Sequence, residues 1–169
     1  MASDSELYEL AERVGRKLKA AGRRLVTAES CTAGWIAKAL TDVPGSSQWF
    51  ECGYVTYSDA AKARDLGVAP RTLASFGAVS EETVREMAEG ALRISGAGVS
   101  LAVTGIAGPD GGTPEKPVGT VWFCSAARRG ATTDILAEPR RFDGDREQVR
   151  RHSVEHGLRL ILRLDFEPR

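Results

Sequence analysis

At residues 26–35 the chain reads Val26-Thr27-Ala28-Glu29-Ser30-Cys31-Thr32-Ala33-Gly34-Trp35. The apolar pair Leu25-Val26 is typical of a strand and a helical pattern begins at Ala33, so a strand is predicted to run directly into a helix. Ser30 and Thr32 fall at the junction. A helix N-terminus exposes backbone N–H groups without partners and carries a partial positive charge. A hydroxyl group held there is therefore either a helix cap or a nucleophile beside a ready-made oxyanion site.

The order of the remaining elements predicts the fold. Strands are expected near residues 24–28, 53–57, 99–103, 118–126 and 132–140; helices are expected at 4–21, 32–41, 58–66 and 70–76, with two longer ones capped by Ser80 and Asp143. Helices between the first three strands imply parallel crossovers, whereas strand four should be antiparallel to strands three and five. The sequence therefore predicts a three-layer α/β/α sandwich with a five-stranded mixed sheet, built as a single domain over residues 1–169.

The composition is that of an ordinary globular protein, with 42% hydrophobic and 27% charged residues. Lys plus Arg equals Asp plus Glu at 23 each, so no global basic field favours binding to nucleic acid. The chain has no long apolar run and an acidic start, which predicts a cytoplasmic protein without membrane association. Cys31, Cys52 and Cys124 lack C-x-x-C spacing and are expected to stay reduced.

Three loops should share the carboxyl edge of this sheet, which is where ligands bind in open α/β folds. They carry Ser30, the pair Tyr57 and Lys62, and the glycine-rich stretch Thr104–Gly112. Taken alone, each has an ordinary structural explanation: a helix cap, a surface lysine and a long turn. Together, a hydroxyl group, an amine and an anion-cradling backbone are what amide hydrolysis requires.

A serine hydroxyl is a weak nucleophile and needs a base to take its proton. Neither of the two histidines lies near these loops in the sequence. Lysine serves as the base if burial lowers its pKa from about 10.4 toward neutrality. We therefore expect Ser30 to attack, Lys62 to accept the proton and Tyr57 to relay or donate one. The amides that begin the second helix are expected to face the oxyanion.

Other readings of the same residues remain. Cys31 is a rival nucleophile, because a helix N-terminus would lower the pKa of its thiol. His152 and His156 have a spacing that can share a metal, but without H-E-x-x-H or a third ligand they are interpreted as a helix surface, and no metal is expected. The pairs Arg140-Arg141 and Arg150-Arg151 are interpreted as surface residues, one of which could reach a phosphate.

The chain resembles the CinA C-terminal-domain family of nicotinamide-nucleotide amidases. The matching motifs span nearly the whole chain: Ala28–Thr32, Val55–Ser58 with Lys62, Gly77–Glu81, Thr104–Gly112, Lys116–Val121 and Gly144–Arg146. The resemblance implies deamidation of nicotinamide mononucleotide to nicotinate mononucleotide and ammonia, without a metal or another cofactor, in pyridine-nucleotide recycling. Longer family members carry an additional N-terminal domain, so the stand-alone form is expected here.

The resemblance also implies residue roles. The family's serine, lysine and tyrosine fall on Ser30, Lys62 and Tyr57. The substrate-binding residues are then expected to be Glu29, Cys31, Thr32, Thr104, Gly105, Ile106, Ala107, Gly108, Gly111, Gly112 and Lys116, with the glycine loop and Lys116 holding the phosphate or ribose.

Two positions depart from the family pattern. Ala33 replaces a usual glycine, at little cost if that position is already helical, and Asp59 replaces a common asparagine and should raise the pKa of Lys62. A nucleotide-binding regulatory module without turnover, or a DNA-associated competence or damage protein, remains an alternative. Whether the chain forms a homo-oligomer is left open.

Overall fold

The computed structural model describes residues 1–165 of the 169-residue chain. Its elements in chain order are α1 (Asp4–Ala20), β1 (Leu25–Glu29), α2 (Trp35–Thr41), β2 (Phe50–Val55), α3 (Asp59–Leu66), α4 (Pro70–Phe76), α5 (Glu81–Ser95), β3 (Val99–Gly105), β4 (Thr120–Arg129), β5 (Thr132–Arg141) and α6 (Arg146–Arg163). A single 3₁₀ turn, Ser46–Gln48, precedes β2.

The five strands form one sheet in the order β2-β1-β3-β4-β5. Strand β1 is parallel to both neighbours, with Ala28 paired to Tyr54 on β2 and to Ala102 on β3. Strand β4 is antiparallel to β3 and β5. The predicted mixed sheet and the direction of strand four are therefore confirmed. The carboxyl ends of β1, β2 and β3 lie at one edge.

Alternating side chains of the central strands feed two cores, one on each face of the sheet. On one face Leu25, Leu101 and Phe123 pack with α1, α2 and α6. On the other, Val26 and Ala102 pack with residues of α3 and α5. Helices thus cover both faces, which confirms the three-layer arrangement.

The close packing of α3 against α5 depends on Gly90. A Cβ atom at this position would overlap the Leu66 carbonyl oxygen, far inside the van der Waals contact distance of the two atoms. Glycine therefore allows the backbone at the end of α3 to lie directly on α5. Since Lys62 is on the same short helix, this contact helps to fix the lysine relative to the sheet.

Two predicted helix starts are wrong. Helix α2 begins at Trp35 rather than Thr32, because Ala33 and Gly34 have φ angles of 51° and 91° in the left-handed region. The expectation that Ala33 is already helical is therefore incorrect. Helix α6 is capped by Asp145 rather than Asp143, through a reciprocal capping box with Gln148.

Helix α1 begins with a capping box, in which Ser3 and Glu6 cap each other's backbone N–H groups. Among residues 1–165, no helix combines the length and the apolar character that crossing a membrane requires.

Candidate active site

A cleft of about 270 Å³ opens at the carboxyl edge of the sheet. Its walls are the loops that follow β1, β2 and β3, the segment between α4 and α5, and the start of α6. The lining residues are Ser30, Cys31, Tyr57, Lys62, Ala78, Val79, Thr104, Gly105, Ile106, Ala107, Gly108, Asp110, Gly111 and Arg146. The predicted meeting of the three loops is therefore confirmed.

Ser30 and Lys62 are in direct contact at the base of this cleft. The Lys62 Nζ lies 3.0 Å from the Ser30 Oγ and donates to the backbone carbonyls of Thr56 (2.8 Å) and Tyr57 (3.1 Å). The Lys62 side chain is fully buried. Burial lowers the pKa of Lys62, and the charge of Asp59 opposes this only in part. The expected effect of Asp59 is thus present but is outweighed by desolvation.

The lowered pKa favours the neutral amine, and the geometry around Nζ suits that form. A neutral amine has two N–H groups and one lone pair. Two carbonyl oxygens accept the N–H groups, which leaves the lone pair for the Ser30 hydroxyl. This is the arrangement that a general base needs in order to remove the proton from Oγ.

Glu29 has a different position from the one predicted. Its carboxylate accepts hydrogen bonds from the N–H groups of Gly34 (3.0 Å), Ile36 (3.0 Å) and Ala37 (2.8 Å) and from the Thr32 hydroxyl (2.7 Å). The Glu29 side chain is buried and, like Thr32, does not line the cleft. These two residues stabilise the turn that carries Ser30, and their contact with substrate stays a prediction.

The same carboxylate occupies the N-terminus of α2. Because its oxygens accept the first free amides of that helix, these N–H groups are not available to an oxyanion. The predicted oxyanion site at the start of the second helix is therefore wrong. A backbone donor to an oxyanion must therefore come from another segment that lines the cleft.

Arg150 holds the other side of the Ser30 turn. From α6 its guanidinium donates to the carbonyls of Cys31 (3.0 Å) and Thr32 (3.2 Å), and it lies 5.5 Å from the centre of the Trp35 ring. Arg150 was expected to be a surface residue, and that expectation is wrong. Glu29 therefore binds the amides of this segment, while Arg150 binds its carbonyls.

Cys31 is a poor nucleophile in this setting. Burial raises the pKa of its thiol to about 12, and the charge of Glu29 acts in the same direction. The prediction that a helix N-terminus would lower this pKa is wrong, since α2 begins only at Trp35. Of the two candidate nucleophiles, only Ser30 is in contact with a base.

Tyr57 contributes to the site in two ways. Its backbone carbonyl accepts from Lys62, while its ring is 59% exposed. The hydroxyl accepts from Arg146 at 3.0 Å, and Arg146 also donates to the carbonyl of Gly108 at 2.8 Å. Within residues 1–165, no hydrogen bond joins the Tyr57 hydroxyl to Ser30 or Lys62, so the predicted proton relay lacks a direct route.

Most, but not all, of the glycine loop lines the cleft. Six of its predicted site residues line the cleft: Thr104, Gly105, Ile106, Ala107, Gly108 and Gly111. The Thr104 hydroxyl donates to the carbonyl of Ala78 at 2.8 Å. Gly112 is instead packed against Val118, where a Cβ would lie 2.7 Å from the Val118 backbone nitrogen. The contact of Gly112 with substrate stays a prediction.

Lys116 is also outside the cleft. Its Nζ donates to the carbonyl of Phe76 at 2.7 Å, which ties the glycine loop to the end of α4. Lys116 therefore anchors two walls of the site and is not among the residues that line the cleft, and its contact with the phosphate or ribose stays a prediction. The cation that does line the cleft outside the Ser–Lys pair is Arg146.

Sequence reasoning assigned no role to Ala78, Val79, Asp110 or Arg146, which all line the cleft. Three motifs contained them: Gly77–Glu81, Thr104–Gly112 and Gly144–Arg146. Membership in these motifs was the sequence signal that could have identified the four residues. Arg146 was missed because nothing in the sequence shows that the start of α6 reaches the edge where β1 to β3 end.

The two histidines serve the packing of α6. His156 Nε2 lies 2.6 Å from Glu138 Oε1, and His152 stacks on Phe142 with ring centres 5.5 Å apart. In the part of the chain that the structure describes, no group of three or more His, Cys, Asp and Glu residues is arranged to hold a metal ion. The interpretation of both histidines as surface residues is incomplete, since each packs against a partner.

The fold and the site together define an α/β protein with a buried serine–lysine pair facing a cleft at the carboxyl edge of its sheet. The chain belongs to the CinA C-terminal domain family, whose model matches residues 7–164.

Relatives and solved structures agree with this assignment. A protein named nicotinamide-nucleotide amidohydrolase PncC from Escherichia coli (strain K12) is 53% identical over 159 residues, covering 94% of each chain. A protein of the same name from Pseudomonas putida is 52% identical, covering 94% of this chain and 96% of its own. The crystal structure of the competence/damage inducible protein CihA from Agrobacterium tumefaciens superposes with a TM-score of 0.89 at 44% identity, covering 96% of both chains.

Proposed function

We propose that this chain is a nicotinamide-nucleotide amidohydrolase that converts nicotinamide mononucleotide and water to nicotinate mononucleotide and ammonia. The observation that carries the proposal is the 3.0 Å contact between Ser30 Oγ and the buried Lys62 Nζ. The names of the relatives that share about half of its residues supply the substrate class. The proposal treats residues 1–169 as one catalytic domain, located in the cytoplasm.

In the first half of the reaction, Lys62 takes the proton from the Ser30 hydroxyl as Oγ bonds to the carboxamide carbon. The carbonyl oxygen becomes an oxyanion, for which the Cys31 N–H is the proposed donor. This N–H follows the nucleophile, and no other described residue accepts a hydrogen bond from it. Lys62 then returns the proton to the departing nitrogen, so that ammonia leaves and an ester on Ser30 remains.

In the second half, water replaces ammonia. Lys62 accepts a proton from the water as its oxygen attacks the ester carbon, and the proton returns to Oγ when the C–O bond breaks. Nicotinate mononucleotide leaves and Ser30 is restored. Each step uses the same base, which explains why one buried amine beside one hydroxyl is sufficient.

Arg146 is the proposed phosphate ligand. It lines the cleft from the first turn of α6, and its contacts with Gly108 and Tyr57 fix the guanidinium at the mouth. Charge-assisted hydrogen bonds from arginine suit a phosphate group. Binding energy from this remote group would hold the carboxamide against Ser30.

The test is ammonia release from nicotinamide mononucleotide, with nicotinate mononucleotide followed by chromatography. We expect turnover by the unmodified chain, including after extensive dialysis against a chelator, and none by Ser30→Ala. Binding of the nucleotide without ammonia release would instead indicate the regulatory module. Restoration of lost activity by one divalent ion after dialysis would contradict the metal-free reaction.

A further inference from the structure

Three of the residues that line the cleft are lysine, arginine or aspartate: Lys62, Arg146 and Asp110. Lys62 is buried against Ser30, and Arg146 is bonded to Tyr57 and Gly108. The mechanism proposed above uses both. Asp110 has the only carboxylate among the lining residues, and the proposed reaction does not use it.

The Asp110 carboxylate is exposed and has neither a hydrogen bond nor an ion pair within residues 1–165. Other acids of the site region are engaged: Glu29 binds the amides near Ser30, and Asp145 caps α6. The Asp110 carboxylate is therefore available to a ligand in the cleft.

The loop that carries Asp110 is held on both sides of it. Before it, Ile106 N–H donates to the Thr120 carbonyl at 2.9 Å and the Ile106 carbonyl accepts from Gly119 at 2.8 Å. After it, Thr113 N–H donates to the Lys116 carbonyl at 2.9 Å, and Lys116 is anchored to α4. These bonds at both ends of the loop constrain where the carboxylate can lie along the cleft wall.

The chemistry of the substrate supplies a partner for this charge. In nicotinamide mononucleotide the ring nitrogen carries the ribose, so the ring is a permanent pyridinium cation, and its carboxamide is attached to that ring. When the carboxamide is at Ser30, the cationic ring must therefore lie inside the cleft. The exposed ring of Tyr57, on the same cleft, offers a second favourable contact to a cation.

We propose that Asp110 is a specificity-determining residue that selects N-substituted, cationic pyridinium carboxamides over neutral rings of the same shape. This inference rests on the proposed function. It predicts a site of mixed charge, in which Arg146 binds the phosphate and Asp110 attracts the ring at the other end of the same ligand.

The experiment compares two ligands that differ in ring charge: nicotinamide mononucleotide and its 1,4-dihydropyridine form, which has the same carboxamide, ribose and phosphate on a neutral ring. Dissociation constants are measured on Ser30→Ala, which cannot turn over. We expect the cationic ligand to bind about tenfold more tightly, in line with one partly screened charge pair. The preference should shrink in 1 M salt.

Adding Asp110→Asn to Ser30→Ala should weaken the cationic ligand about tenfold and leave the neutral one unchanged. Glu115→Gln is the matched control, because it removes an exposed negative charge from the same loop outside the cleft. It should leave both dissociation constants unchanged.

Two results would overturn the inference. If Asp110→Asn lowers the affinity for both ligands equally, the carboxylate binds the ribose hydroxyls. If it lowers neither affinity, the carboxylate does not contact the ligand. Neither result affects the proposed function, which fails separately if the unmodified chain releases no ammonia from nicotinamide mononucleotide.

Discussion

Lys62 Nζ lies 3.0 Å from Ser30 Oγ although 32 positions separate the two residues in the chain. The contact arises because β1 and β2 are parallel neighbours, so the loops at their carboxyl ends meet. The serine follows one strand and the lysine lies in the short helix after the other. Sheet pairing, rather than a local motif, therefore brings the serine and the lysine together.

Replacing the nucleophile should abolish turnover. Ser30→Ala is expected to lower kcat by at least ~10³-fold, because no other hydroxyl contacts the Lys62 amine among the described residues. Cys31→Ala should retain most of the activity, since the buried thiol has a pKa of about 12 and is protonated at neutral pH. Inactivation of the unmodified enzyme by a thiol alkylator, with Cys31→Ala resistant, would contradict the assignment of Ser30.

The pH profile should report Lys62 as a neutral base. Because burial lowers its pKa, kcat/KM should rise with pH as the ammonium loses its proton, along a limb placed below the ordinary lysine value of 10.5. Lys62→Arg keeps the charge but cannot deprotonate, so it should be nearly as inactive as Lys62→Met. An active Lys62→Arg enzyme would reduce the lysine to an electrostatic role.

The same pKa shift predicts how stability depends on pH. Between the lowered folded-state pKa and 10.5, the unfolded chain binds more protons at Lys62 than the folded chain does. The free energy of unfolding therefore rises with pH in this window, by at most about 1.4 kcal/mol per pH unit. The free energy of unfolding of the wild type, measured in urea, should therefore increase relative to that of Lys62→Met as the pH rises. Parallel curves would contradict the shift.

Phosphate recognition should depend on Arg146 and not on Lys116. Arg146→Ala should reduce kcat/KM for nicotinamide mononucleotide by about 30- to 1,000-fold, as expected for the loss of charge-assisted hydrogen bonds worth roughly 2–4 kcal/mol. Nicotinamide riboside, which lacks the phosphate, should be affected much less. Lys116→Ala removes the hydrogen bond to the Phe76 carbonyl and should change kcat/KM for both substrates by the same factor. If only Lys116→Ala lost the preference for nicotinamide mononucleotide over the riboside, Lys116 and not Arg146 would be the phosphate ligand.

Gly90→Ala should destabilise the fold although alanine is the better helix former. Helix propensity alone favours alanine by about 1 kcal/mol. Here a Cβ collides with the backbone oxygen of Leu66, which cannot rotate away, so we expect a net loss of about 1–3 kcal/mol in the free energy of unfolding. Glu89→Ala, at the exposed neighbouring position of α5, should be nearly neutral. Denaturant unfolding of the three proteins gives the comparison.

The fold was predictable because hydrophobic periodicity and the spacing of helices and strands agree along the chain. The start of α2 was not, because its cap is unusual. The side chain that binds its first amides is Glu29, which belongs to the preceding strand, so the nearby Ser30 and Thr32 gave a misleading start signal. Two left-handed residues then occupy the turn, a conformation for which Ala33 gives no sequence signal.

The site was predictable where it depends on strand order and not where it depends on helix packing. Ser30 and Lys62 follow adjacent parallel strands, so topology alone brings them together. Arg146 reaches the cleft because α6 packs across the opposite face of the sheet from α5, and Lys116 leaves the cleft because the glycine loop folds toward α4. Both outcomes follow from tertiary contacts that local spacing does not encode.

The distribution of the site along the chain bears on how activity arises during synthesis. The proposed nucleophile, Ser30, and the proposed base, Lys62, lie in the first half of the chain. Arg146 and Arg150, which contacts the turn after Ser30, belong to the last helix. A ribosome that has completed α5 has therefore delivered the reactive pair without the arginines that would hold the phosphate and brace the serine. We therefore expect a chain truncated before α6 to be inactive, because it lacks both arginines and the apolar side chains that α6 contributes to the core.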